Sequence, residues 1–106
     1  IKEYPTIEIK NKITVTKVLL EMTKYKIGCM FFIKKNRELI GILTDGDIRR
    51  LLLKNPEMKI ITENDINKNY HYEENLEKYT INCERVAGFI PILKEKKMYG
   101  IIRIYY

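Results

Sequence analysis

The sequence predicts an α/β fold of the α+β type, built from two small sheets with flanking helices. Three observations carry this. Apolar runs of strand length end on glycine-led segments at Gly41 and Gly100. Stretches ahead of them repeat apolar residues at helical spacing. And 106 residues with 45% hydrophobic and 32% charged content make one compact domain with a modest core, not two independent domains.

The elements follow in order. A lead-in strand is expected at the N-terminus of the first copy. Val15, Val18, Leu19 and Met22 mark one face of a first helix, with Thr14 or Thr16 available to cap it. Met30 to Ile33 and Leu39 to Leu43 form two strands around a charged hairpin turn at Lys35-Asn36. Gly46 then breaks the apolar run, and Ile48, Leu51 and Leu52 recur at helical spacing, so a second helix runs from Asp47 to Lys54.

Placing Gly41 on Gly100 reveals an internal repeat that aligns without a gap. Lys26-Ile27-Gly28 falls on Arg85-Val86-Ala87, Met30 to Ile33 on Phe89 to Ile92, and Leu39 to Leu43 on Met98 to Ile102. Leu76, Tyr79 and Cys83 keep helical spacing ahead of the second hairpin, on a thinner apolar face. The expected division is residues 1–60 for the first copy and 61–106 for a shortened, degenerate second copy. Each leaves a sheet uncovered, and the natural cover is the other copy, packed about a pseudo-twofold axis.

Chemistry concentrates in Gly41 to Arg50, GILTDGDIRR. Thr44 and Asp47 have the spacing of a capping box, in which a hydroxyl accepts an orphan amide and a carboxylate reaches back. The same atoms suit a ligand: helix N-terminal amides with Thr44 for a phosphate, and Asp47 for the paired hydroxyls of a sugar. Thr44, Asp45 and Asp47 can each serve the backbone or a ligand, and both readings stand on position alone. Arg50 and Arg49 follow within a turn, where an arginine fork suits phosphate or carboxylate and equally suits a solvated helix face.

Other function classes find little support. The net charge of +6, from 20 basic and 14 acidic residues, is scattered over turns such as Lys34-Lys35 and Lys94 to Lys97, so no nucleic-acid partner is expected. No apolar stretch approaches the roughly 20 residues of a spanning helix, so no membrane partner is expected either. Cys29 and Cys83 lack metal-ligand spacing and lie in apolar surroundings, as expected of a reduced cytoplasmic protein. His71, the single histidine, has no partner in the sequence for a metal site or triad, and neither a metal site nor a catalytic set assembles. The chain opens on Ile1 without a leader, as a piece of a longer protein would.

With its GILTDGD string, this repeated unit resembles the CBS domain, named after cystathionine β-synthase, which occurs in tandem as a Bateman module. Leu19-Leu20-Glu21-Met22-Thr23, Lys26-Ile27-Gly28 and GILTDGDIRRLL are similar to the CBS pair at the C-terminus of arabinose-5-phosphate isomerases of the sugar-isomerase class. TDGDIRR also resembles CBS pairs fused to sugar-phosphate nucleotidyltransferases. The resemblance implies a non-catalytic regulatory pair on an N-terminal sugar-isomerase domain, forming a homodimer and sensing an adenine nucleotide or a CMP-sugar such as CMP-Kdo, with no cofactor. It implies contacts from Thr44 to phosphate or ribose, from Asp47 to the ribose diol, and from the hairpin strand near Ile27 to Met30, through Ile27, Gly28 and Cys29, to the base. Thr44 becomes Arg103 and Asp47 becomes Tyr106 in the second copy, so one site is expected, to which Arg50 and Arg103 are candidate cations. The alternatives are a purely structural dimerisation module and the CBS pair of a nucleotidyltransferase.

Overall fold

The computed structural model describes residues 4–9, 12–70, 72 and 88–104. In chain order these form β1 (Thr6–Glu8), β2 (Ile13–Thr14), α1 (Val15–Tyr25), β3 (Cys29–Ile33), β4 (Leu39–Thr44), α2 (Asp45–Lys54), β5 (Ile60–Ile61), a 3-10 turn (Glu63–Asp65), β6 (Gly88–Lys94) and β7 (Lys97–Ile104). β1 runs parallel to β3, and β3 antiparallel to β4. β2 pairs with β5, and β6 with β7. The region of Leu76, Tyr79 and Cys83, with His71 and Tyr106, lies outside the described residues.

Thr14 caps α1, its hydroxyl accepting from the Lys17 amide at 3.0 Å. Val15, Val18 and Met22 are buried as the spacing predicts, whereas Leu19 is 39% exposed and stands at the edge of that face. The helix closes on Lys26 in the left-handed region, φ 56°, with Lys26 N–H donating to Thr23 O and Ile27 N–H to Met22 O. This paired closure usually uses glycine. α2 begins two residues earlier than its apolar spacing suggests, because the Thr44 cap admits Asp45 and Gly46 to the first turn.

The sheet of β1, β3 and β4 divides the core. Met30, Phe32 and Leu43 face α1, α2, Ile61 and Ile66. Cys29, Phe31 and Leu39 face the other way, onto Tyr4, Ile27 and the second hairpin's Leu93 and Met98. Strict alternation along β4 would put Leu39 on the same face as Leu43. A bulge prevents this: Phe32 pairs with Gly41 but Ile33 with Leu39, so Ile40 is the extra residue and Leu39 turns toward the second copy.

The pseudo-twofold axis is visible in the hydrogen bonds. Leu39 N–H donates to Lys96 O at 3.0 Å and Met98 N–H to Arg37 O at 3.1 Å, around an antiparallel bridge between Glu38 and Lys97. On the repeat these bonds are images of each other, and the bridge joins a residue to its own counterpart. Arg37 and Lys96 also share a left-handed backbone, φ 73° and 70°.

The second hairpin departs from the gapless repeat by one residue. Gly41 pairs with Phe32, but Gly100 pairs with Ile92, not Pro91. β6 is therefore displaced by one residue, because the second hairpin closes through the tight pair Glu95-Lys96, both at positive φ, where the first uses one residue more. A slip of one exchanges the two faces of a strand. The displacement puts Leu93, like Ile33, on the face between the copies.

Candidate functional site

The site is built where β4 hands over to α2. The capping box forms in full: Thr44 N–H donates to Asp47 Oδ2 at 3.0 Å, and Asp47 N–H to Thr44 Oγ1 at 3.2 Å. Arg50 Nη2 donates to Asp47 Oδ1 at 2.7 Å, though Arg50 is 71% exposed and the pair adds at most about 1 kcal/mol. Asp45 N–H donates to Gly28 O at 3.0 Å, tying the helix start to the loop ahead of β3. Among the described residues this leaves Gly46 as the first-turn amide of α2 without a protein acceptor. The open array of amides that would cradle a phosphate is largely consumed by the fold.

Burial alone would raise the Asp47 carboxyl, but hydrogen bonds from the Thr44 backbone, Arg50 and the Thr44 hydroxyl, with the Arg50 charge, outweigh it and hold Asp47 below the usual aspartate value. A folded pKa below the unfolded value means a contribution present above about pH 3.9 and lost as pH falls through the folded pKa. Asp47→Asn is therefore expected to flatten the stability loss below about pH 4 in acid-titrated thermal melts. Thr44→Ala should cost about 1 kcal/mol at neutral pH through the lost cap.

Beside the box lies an open cleft of about 350 Å³, lined by Leu19, Met22 and Thr23 of α1, the Lys26 to Gly28 link, and Asp45. Two residues expected to bind, Ile27 and Gly28, thus share a wall with Asp45. Cys29 is 3% exposed and belongs to the core between the copies, where burial first, then the charges of Asp47 and Asp45, push its thiol up to about 12. A thiol so protonated is inert near neutrality. Arg103 pairs with Phe89 as Thr44 pairs with Cys29, so its backbone holds Thr44's equivalent position; its side chain lies outside the described residues. Thr23 and Lys26 carry no binding signal in the sequence, whereas Asp45 belongs to the acidic turn that the sequence offers to a ligand. The signal for Asp45 was its place beside Thr44, but which of two nearby carboxylates faces a cleft depends on helix phase. A second cleft of about 420 Å³ lies at the hairpin tips, with Tyr70, Tyr72 and Lys96 in its lining. No group of His, Cys, Asp and Glu fit to hold a metal occurs among the described residues.

Residues 1–54 match the CBS domain family model. The chain belongs to the CBS domain family. An uncharacterised protein of Rickettsia prowazekii is 32% identical over 94 residues, covering 85% of this chain but 29% of its own length. The chain thus spans under a third of that relative. Among solved structures, a putative acetoin utilization protein (AcuB) from Vibrio cholerae superposes with a TM-score of 0.77 at 15% identity, over 96% of this chain and 78% of that one. CBSX2 in complex with AMP gives 0.64 at 16% identity, over 95% and 81%. The CBS domain pair of MJ0100, in complex with 5′-methylthioadenosine and S-adenosyl-L-methionine, gives 0.68 at 20% identity, over 94% and 81%. The likeness covers both halves of the chain, so the fold is that of a CBS pair. No helix among the described residues is long and apolar enough to cross a membrane.

Proposed function

We propose that this CBS pair is a non-catalytic regulatory module that binds a nucleoside or nucleotide in the cleft beside Thr44 and Asp47. The observation that carries this is the cleft itself, which sets the apolar wall of Met22 and Ile27 against the polar start of α2, a pairing that suits a base and a sugar. The adenosine-type ligands of CBSX2 and MJ0100 support the class of ligand. The module serves a larger protein, and the GILTDGDIRRLL string favours a sugar-phosphate isomerase of the arabinose-5-phosphate type, or else a sugar-phosphate nucleotidyltransferase. In either host it joins two copies, and the exposed Leu20 on α1 and Leu53 on α2, 62% and 78% accessible, suit burial against a second pair.

One observation favours a purely structural role: capping accounts for both Thr44 and Asp47 with no ligand. Calorimetry with AMP, ATP, CMP and CMP-Kdo separates the two. Saturable binding of one member supports sensing. A folded dimer silent across the panel supports a scaffold.

A further inference from the structure

The sequence scatters its positive charge over turns, and the fold gathers two of those turns at one place. The turns at 34–38 and 94–97 lie side by side, joined by Leu39 N–H to Lys96 O at 3.0 Å, Met98 N–H to Arg37 O at 3.1 Å and the bridge between Glu38 and Lys97. Six exposed cations, Lys34, Lys35, Arg37, Lys94, Lys96 and Lys97, therefore crowd about the pseudo-twofold axis. Glu38 and Glu95 alone oppose them within these turns, so four of the chain's six net positive charges stand at this pole. Ion pairing relieves little of the repulsion. Lys34 with Glu38, at 3.8 Å, is the one salt bridge these six make among the described residues, and Glu63, close enough to feel the Lys34 charge, is held by Lys68 at 2.6 Å. Like charges gathered in this way work against the compact state, and an anionic partner removes that cost.

Aromatic rings stand among these charges. The cleft of about 420 Å³ at the tips sets Leu39, Leu93, Glu95 and Lys96 beside Tyr70 and Tyr72, whose rings meet edge-on at 5.9 Å. Tyr70 is fixed there by its hydroxyl, which donates to Leu39 O at 3.2 Å. Tyr72 is 49% exposed, and Tyr99, 59% exposed, has Lys94 Nζ over its ring at 5.8 Å. We infer that this pole binds single-stranded nucleic acid, the cations of the two turns meeting successive phosphates and Tyr72 offering a ring on which a base stacks. Charge alone would suit any polyanion. Exposed rings beside cations favour one whose charges alternate with planar, unpaired bases, since each base can then stack while its phosphate is neutralised. The pole lies at the opposite end of β4 from Thr44, so the inference does not rest on the nucleotide cleft.

Fluorescence anisotropy of a labelled mixed-sequence single strand of about 12 nucleotides, titrated with the whole chain, tests this. Affinity is expected to fall about tenfold or more between about 50 and about 200 mM salt, as about three to four phosphate contacts require. At the lower salt, Lys35→Glu and Lys96→Glu should each weaken binding about fivefold or more, with folding confirmed by circular dichroism. Lys24→Glu makes the same change of net charge at the end of α1 that leads to the base of the first hairpin, and should change affinity less than about twofold. Tyr72→Ala should weaken binding about fivefold or more, the effect of one lost stacking contact. Equal losses at Lys24 and the tip lysines would reduce the site to diffuse net charge. Polyglutamate binding as tightly as the strand, with Tyr72→Ala silent, would assign the pole to an acidic protein. Displacement of the strand by saturating AMP at matched ionic strength would move it to the nucleotide cleft. Each of these overturns the inference, as does a folded chain that retains no strand at about 50 mM salt.

Discussion

Phe31→Ala is expected to remove about 3–5 kcal/mol of stability, a large share of the 5–15 kcal/mol that a domain of this size commands. Phe31 is fully buried, at 0% exposure, with its ring edge-on to Tyr4 at 5.8 Å. It stands in the core shared by the two copies, against the cluster containing Leu93 and Met98. Truncation therefore opens a cavity where the β6–β7 hairpin is held, and a two-stranded hairpin deprived of its apolar support is marginal in water. Urea unfolding should show the full loss. Limited proteolysis should show cleavage within residues 88–104 at urea concentrations where the wild type resists. A loss under about 1 kcal/mol would mean that the copies do not depend on this core.

The second large effect contrasts two glycines that the repeat makes equivalent. At Gly41 a Cβ would stand 2.7 Å from the Asn67 carbonyl oxygen and 3.0 Å from Ile66 Cδ1. That backbone cannot easily give way, because Ile42 and Asn67 exchange two hydrogen bonds of 2.9 Å that lay the 66–67 segment along β4. Gly41→Ala is thus expected to cost about 1–3 kcal/mol through overpacking. At Gly100 the nearest atom to a new Cβ is Ile92 Cδ1 at 3.8 Å, an ordinary contact. Gly100→Ala should be neutral, or stabilising by up to about 1 kcal/mol as chain entropy is removed from the unfolded state. Paired thermal melts check this, and equal effects at the two positions would contradict the packing assigned to Gly41.

These residues also show how far the sequence could be read. The hairpins, the repeat, a threonine cap on α1 (Thr14 or Thr16, of which Thr14 serves) and the Thr44–Asp47 box were legible because each rests on local chemistry: alternation, turn residues, and a hydroxyl three residues from an amide. The one-residue displacement of β6 was not, because runs such as Phe89 to Leu93 are apolar at every position and carry no face marker, while turn length depends on the backbone of Glu95 and Lys96. The left-handed closure at Lys26 was equally hidden, since lysine is not the residue such a closure selects. Leu19 falls on the predicted face by spacing but is 39% exposed and lines the open cleft beside the start of α2. At the site, the sequence marked the strand-to-helix turn and its capping box, but could not tell that the end of α1 and the Lys26 to Gly28 link would form a cleft beside it.

The proposed nucleoside or nucleotide site is the cleft between the end of α1, the Ile27–Gly28 link and the start of α2. Amide NMR during titration with AMP tests it most directly. Saturable shifts are predicted at Ile27, Gly28, Asp45 and Gly46, the last being the first-turn amide that the fold leaves without an acceptor among the described residues. The absence of shifts at millimolar AMP, or shifts confined to the Tyr70–Tyr72 cleft at the hairpin tips, would contradict it.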